Sequence, residues 1–306
     1  MPFPWNDQSI PAHFIAPRQS VVASDLTDME DLLPHVSAQA KAFKAAVTLV
    51  HVVRTSPIDR PEERREEMYA CQLLDQMKNA LEIDGVRCSS VVKKGAAADM
   101  VAQEIASAKA GRLIIGAHRH GSCGQNMIGS VTNALLLTAA VPVFVIPPQS
   151  RSRSEHTYPH RILHPVVPSG SYRESMCFAA EIAHACNAEL TLLHVIPPPS
   201  ATGPYAKVVE TATRHEIEDF TWPPNLHVRT RIEYGDLVQT ILQSSASENV
   251  DWIVMGISHD FPWWSRQNSH TYRVIAEAGC PVLTFHTRIL SPMQAAVPSS
   301  AELHRA

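Results

Sequence analysis

The stretch Thr48-Leu49-Val50-His51-Val52-Val53 returns 143 positions later as Thr191-Leu192-Leu193-His194-Val195-Ile196. Each copy is an apolar, β-branched run broken by one histidine. It is too short for a helix and suits a strand buried on both faces. Two further pairs follow in the same order. Leu113-Ile114-Ile115-Gly116 is matched by Ile253-Val254-Met255-Gly256, 140 positions on, and Val141-Pro142-Val143-Phe144-Val145 by Cys280-Pro281-Val282-Leu283-Thr284, 139 positions on. Three strand signatures in one order, with little drift in spacing, mean two copies of one domain.

Within the first copy, strands are expected near Ser20–Ala23, Val47–Val53, Val86–Val92, Arg112–Gly116 and Val143–Ile146. Helices are expected near Asp31–Ala45, Glu62–Ile83, Asp99–Ala110 and Ser130–Ala139. Pro61 followed by Glu62 and Glu63 suits a helix start, because the missing proline N–H costs nothing there and carboxylates meet the positive dipole end. Alternating strands and helices predict an α/β fold, with two repeated open-sheet domains of parallel strands covered on both faces. The expected organisation is a flexible N-terminus over 1–17, a first domain over 18–148 and a linker over 149–158 that is rich in proline and serine. A second domain follows over 159–288, then a disordered tail over 289–306.

Composition narrows the partners. The 306 residues carry a net charge of −4, which argues against nucleic acid, where affinity comes from neutralising phosphates. No apolar run approaches the roughly 20 residues that span a bilayer. The N-terminal residues lack a basic and then apolar leader, so a cytoplasmic protein is expected. The six cysteines form no CxxC pair, which suits reduced thiols. His156, His160 and His164 are spaced four apart, but Pro159 breaks any helix that would align them for a metal. His118, His120 and Cys123 fit no closed zinc pattern, so no metal site is expected. No GxSxG elbow, HExxH helix or Cys/His nucleophile pair is present, so no enzyme is expected and any turnover would be slow and incidental.

Five features taken in order resemble the universal stress protein family. They are Val21-Val22-Ala23-Ser24-Asp25, Leu49-Val50-His51-Val52, Gly95-Ala96-Ala97-Ala98, the loop from Gly116 to Gly129-Ser130, and Val141-Pro142-Val143-Phe144-Val145. The resemblance covers about 18–148 and, more weakly, 159–288, as in a tandem universal stress protein. It implies five-stranded parallel sheets of Rossmann-like type and a role as a stress-response regulator. It also implies ATP or a related adenine nucleotide, with Mg, bound as a signal. Because the last strand mediates dimers in single-domain relatives, Val143–Ile146 and Val282–Phe285 are expected to meet as an intramolecular pseudo-dimer. A further homodimer and a protein partner stay open.

The family's loop pattern, Gly-x2-Gly-x9-Gly-Ser/Thr, falls on Gly116, Arg119, Gly129 and Ser130, with arginine at the second glycine. A glycine-rich turn between strand and helix offers backbone N–H groups to phosphate. Arg119 either reshapes the turn or adds a bidentate guanidinium. The loop lacks the lysine of a P-loop. Asp25 is expected to meet ribose hydroxyls and the Val52 backbone to meet adenine, while Ala23, Ser24, His118, Val131 and Thr132 complete the walls.

The second copy departs further. Pro165-Val166-Val167 replaces Ala23-Ser24-Asp25, His259 takes the second glycine position, and Asn268-Ser269 closes a loop that contains Trp263 and Trp264. A degenerate site is expected, with the tryptophans filling it or meeting a partner. A nucleotide-free interaction scaffold and a sensor of another ligand, lipid or metal, are the alternatives.

Overall fold

The computed structural model describes residues 10–54, 61–117, 128–150, 158–166, 172–197, 204–257 and 270–290. The first half contains β1 (Gln19–Ala23), α2 (Met29–Phe43), β2 (Ala46–Val53), α3 (Pro61–Ile83), β3 (Cys88–Lys94), α4 (Ala97–Ser107), β4 (Arg112–Gly116), α5 (Ser130–Thr138) and β5 (Val143–Ile146). A short helix, α1 (Ala12–Ile15), precedes them. The second half repeats the order as β6 (Arg161–Pro165), α6 (Tyr172–Cys186), β7 (Glu189–Ile196), α7 (Pro204–Glu218), β8 (Val228–Tyr234), α8 (Leu237–Ser247), β9 (Trp252–Ile257), α9 (His270–Glu277) and β10 (Val282–His286). A last turn, α10 (Thr287–Leu290), follows.

The ten strands of the described residues form one sheet in the order β3-β2-β1-β4-β5-β10-β9-β6-β7-β8. Every neighbouring pair is parallel except β5 and β10, which run antiparallel with Val282 opposite Val145 and Thr284 opposite Val143. This pairing sits at the pseudo-two-fold and leaves β3 and β8 as the outer edges. β4, β5 and β10 are buried at every position, so both sheet faces are covered there. Phe144 of β5 meets Trp252 of β9 edge-on at 5.1 Å between ring centroids, which ties one half's core to the other's.

The boundaries that moved have local causes. Lys44 turns into the left-handed region (φ 51°), and its N–H closes on Ala40, so α2 ends at Phe43 rather than Ala45. Gly85 (φ 84°) makes the same turn after α3; the Val86 N–H bonds back to Leu81, and β3 starts only at Cys88.

The largest difference lies before β1. Residues 12–15, expected in a flexible N-terminus, form α1, and Phe14 is 6% exposed. The fully buried Arg112 holds this segment. Its Nη2 donates to the Phe14 carbonyl (3.0 Å) and the Ile15 carbonyl (3.4 Å), and its Nη1 donates to Gln39 Oε1 (2.8 Å). The Phe43 ring lies 4.9 Å from the guanidinium. Gly111 is required where α1 passes, since a Cβ there would collide with the His13 carbonyl.

Candidate functional site

In the first repeat β2 leaves β1 on one side and β4 joins it on the other. The ends of β1 and β4 therefore diverge, and an open α/β sheet has a crevice at such a switch point. A cleft of about 500 Å³ opens there. Ala23, Ser24 and Asp25 line it from the end of β1, Val52 from β2, Gly116 from β4, and Gly129, Ser130, Val131 and Thr132 from the start of α5. His118 and Arg119 lie outside the described residues.

Side chains of the β1–α2 loop shape its own backbone. Ser24 Oγ donates to Asp28 Oδ1 (2.7 Å) and accepts from the Leu26 N–H (2.9 Å), while Leu26 takes a positive φ of 73°. Asp25 Oδ1 accepts from the Thr27 N–H (3.0 Å) and Thr27 Oγ1 (2.6 Å). A ribose at Asp25 would share that carboxylate with Thr27. Across the cleft, Thr132 Oγ1 donates to the Gly116 carbonyl at 3.0 Å, pinning the start of α5 to the end of β4.

The anion-binding capacity lies at two helix starts. α5 begins after Gly129 and α4 after Ala96, and neither N-cap residue supplies a side-chain hydrogen bond. First-turn N–H groups without intrahelical partners, at the positive end of the dipole, donate to anionic oxygens. The two starts adjoin a hollow lined by Arg54, Gly95, Ala97 and Ser130, continuous in its lining with the cleft. In the second repeat α8 is capped by its own Asp236, which accepts from the Gln239 N–H at 3.0 Å, and Pro197 stands at the position of Arg54. Asn133 Oδ1, in the cleft wall, is buried without a hydrogen-bond partner. Two uncapped helix starts and a cation fit the phosphates of an adenine nucleotide, which need donors.

Arg54, Asp28, His51, Asn133 and Ala97 also line the cleft, and sequence reading had not placed them there. Arg54 was legible as a cation one residue past β2. His51, the histidine that interrupts β2, bonds the Ser24 carbonyl through Nδ1 at 2.9 Å. That carbonyl can only accept, so Nδ1 carries the proton and Nε2 is an acceptor in the neutral ring.

The counterpart region of the second repeat is filled by larger or apolar side chains. By the spacing of the repeat, Leu237 replaces Ala97, Ile241 replaces Val101, Val166 replaces Ser24, and Tyr272 replaces Asn133. Tyr272 is 5% exposed. Beneath, the fully buried His164 bonds the Val254 carbonyl through Nδ1 (2.7 Å) and Ser175 Oγ through Nε2 (3.0 Å), and burial lowers its pKa to about 4. Trp263 and Trp264, expected to fill this place, lie outside the described residues, as do His259, Asn268 and Ser269. No group of three potential metal ligands occurs among the described residues, and no described helix is long and apolar enough to cross a membrane.

The universal stress protein family matches residues 20–147 and again 159–286. The chain therefore belongs to the universal stress protein family, as a tandem member. It is similar in structure to a universal stress protein from Archaeoglobus fulgidus DSM 4304 (17% identity, 88% of this chain and 98% of that one, TM-score 0.66). It is also similar to a putative universal stress protein from Pseudomonas aeruginosa UCBPP-PA14 (15% identity, 90% and 96%, TM-score 0.62). A universal stress protein from Archaeoglobus fulgidus in complex with dAMP covers 43% of this chain and 98% of its own at 20% identity, with a TM-score of 0.35. No curated protein matches the chain.

Proposed function

We propose that the first repeat binds ATP or a related adenine nucleotide, together with Mg, and that the protein serves as a stress-response regulator that reads this nucleotide as a signal. The observation that carries the reading is the contrast between the repeats. Two uncapped helix starts and Arg54 meet at an open cleft in the first, whereas the matching positions of the second hold Asp236, Pro197, Leu237 and Tyr272. In this reading Asp25 accepts from the ribose, the Val52 backbone meets adenine, and Ala23 and Ser24 form the floor. Gly116 and Gly129 allow close backbone approach, and Ser130, Val131 and Thr132 present N–H groups to phosphate. His118 and Arg119 close the loop side. Bound nucleotide supplies a polyanion that holds the two helix starts together; the reading assigns no turnover.

Calorimetric titration with Mg·ATP tests the reading. One-to-one binding at roughly micromolar Kd, weakened at least tenfold by Asp25→Ala in a protein of unchanged fold, is expected. Absence of binding at about 1 mM by the folded wild type would favour a nucleotide-free scaffold instead.

A further inference from the structure

The cleft of the first repeat runs past the start of α5 into the hollow beside α4, and the exposed Arg54 borders both spaces. We propose that Arg54 makes this site selective for adenine nucleotides with two or three phosphates over monophosphates, open or cyclic. The inference rests on the nucleotide reading above and assigns that site its ligand class.

The backbone fixes where Arg54 stands. Gly95, at a φ of 139° that glycine alone adopts readily, donates its N–H to the Val53 carbonyl at 3.1 Å. The turn into α4 is thereby docked on the end of β2, and Arg54 is the next residue along the chain. In the second repeat Gly235 makes the same bond to Ile196, also at 3.1 Å, and the residue that follows is Pro197. One turn is built twice, with a cation beside it only once. Ala96, Ala97 and Ala98 line the hollow, and none of their side chains extends past a methyl group, so a ligand can approach the start of α4.

Charge is divided along the site. Asp25 and Asp28 lie at the β1–α2 end, the end that the reading gives to ribose. In the hollow, Arg54 carries the only charge among the described lining residues. The lysines of neighbouring β3 are engaged, Lys93 with Glu104 at 2.8 Å and Lys94 with Glu67 at 2.7 Å, whereas no described residue pairs with Arg54. Ser130 and Val131 border the cleft and the hollow alike. A first phosphate held at the start of α5 thus leaves the following ones to enter the hollow. There a guanidinium takes two phosphate oxygens at once through its planar fork. A monophosphate ends before that point.

Calorimetric titrations of the full chain with ATP, ADP, AMP and cyclic AMP, all with Mg at one ionic strength, test the proposal in the wild type and in Arg54→Gln. The replaced side chain is exposed, so the variant should keep the wild-type Tm. The wild type should bind ATP and ADP at least about tenfold more tightly than AMP and cyclic AMP. Arg54→Gln should weaken ATP and ADP about tenfold and the two monophosphates less than about twofold. Equal wild-type affinity for ATP and AMP would overturn the proposal, as would an unchanged ATP affinity in Arg54→Gln. An equal loss for ATP and AMP in that variant would also overturn it, because it would put Arg54 on the base or ribose. These three results leave nucleotide binding standing, whereas a folded wild type that binds none of the four compounds would overturn the functional reading itself.

Discussion

His51 and His194 make the same bond in two settings: His51 Nδ1 lies 2.9 Å from the Ser24 carbonyl, and His194 Nδ1 lies 3.0 Å from the Val166 carbonyl. Each ties its second strand to the first residue past the preceding one, fixing how that turn leaves the sheet. Replacing either by leucine strands a carbonyl and is expected to cost about 1–3 kcal/mol in urea unfolding. Only His51 lines the cleft, so His194→Leu should leave nucleotide affinity unchanged. A weakened affinity in His194→Leu would contradict the assignment of binding to the first repeat.

The N-terminal turn is part of the fold, and Phe14 is its anchor. Phe14→Ala should destabilise the protein by about 3 kcal/mol, as expected for emptying a buried aromatic position. Thermal unfolding checks this; a change below about 0.5 kcal/mol would mean that α1 contributes no packing of its own.

Acid should weaken the protein in a defined window. Burial lowers the pKa values of both His35 and His164 from 6.5 to about 4 in the folded state. The unfolded chain therefore binds more protons between those values, so stability falls as pH drops from about 6.5 to 4 and levels off below for these two groups. Asp84, whose pKa is lowered by hydrogen bonds from Lys41 and Ser37, acts only further down, as pH falls past the ordinary carboxylate value of 3.8. Urea midpoints at pH 7, 5.5 and 4.5 should fall progressively, and a flat profile across that range would contradict the neutral buried state of the two histidines.

Tyr272 fills the second repeat but does not by itself prevent binding there. Tyr272→Asn restores the first repeat's side chain and should cost about 2–4 kcal/mol through the cavity it leaves. No nucleotide binding should be gained, because Asp236 still caps α8 and no carboxylate stands at Val167. A second equivalent of ATP bound by this variant would show that bulk alone separates the repeats.

Much of this architecture was legible in the chain. The paired strand signatures marked the two five-stranded halves of the one sheet, and the resemblance placed Val143–Ile146 against Val282–Phe285, where β5 and β10 pair. Four residues of α1 show no periodicity, and what orders them is Arg112, about a hundred positions away, so no local pattern announces them. Tyr272 is legible by counting back from Pro281 as Asn133 is counted back from Pro142. The shared Asp25 carboxylate was foreshadowed by Asp25-Leu26-Thr27, a pattern in which the aspartate bonds the backbone two residues on.

The central claim is that one repeat binds nucleotide and the other does not, and stoichiometry tests it most directly. Calorimetry with Mg·ATP should give one site per chain in the wild type and none in Ala97→Leu, which carries the second repeat's side chain into the first cleft. Two sites per chain, or one site that survives Ala97→Leu at full affinity, would contradict the account.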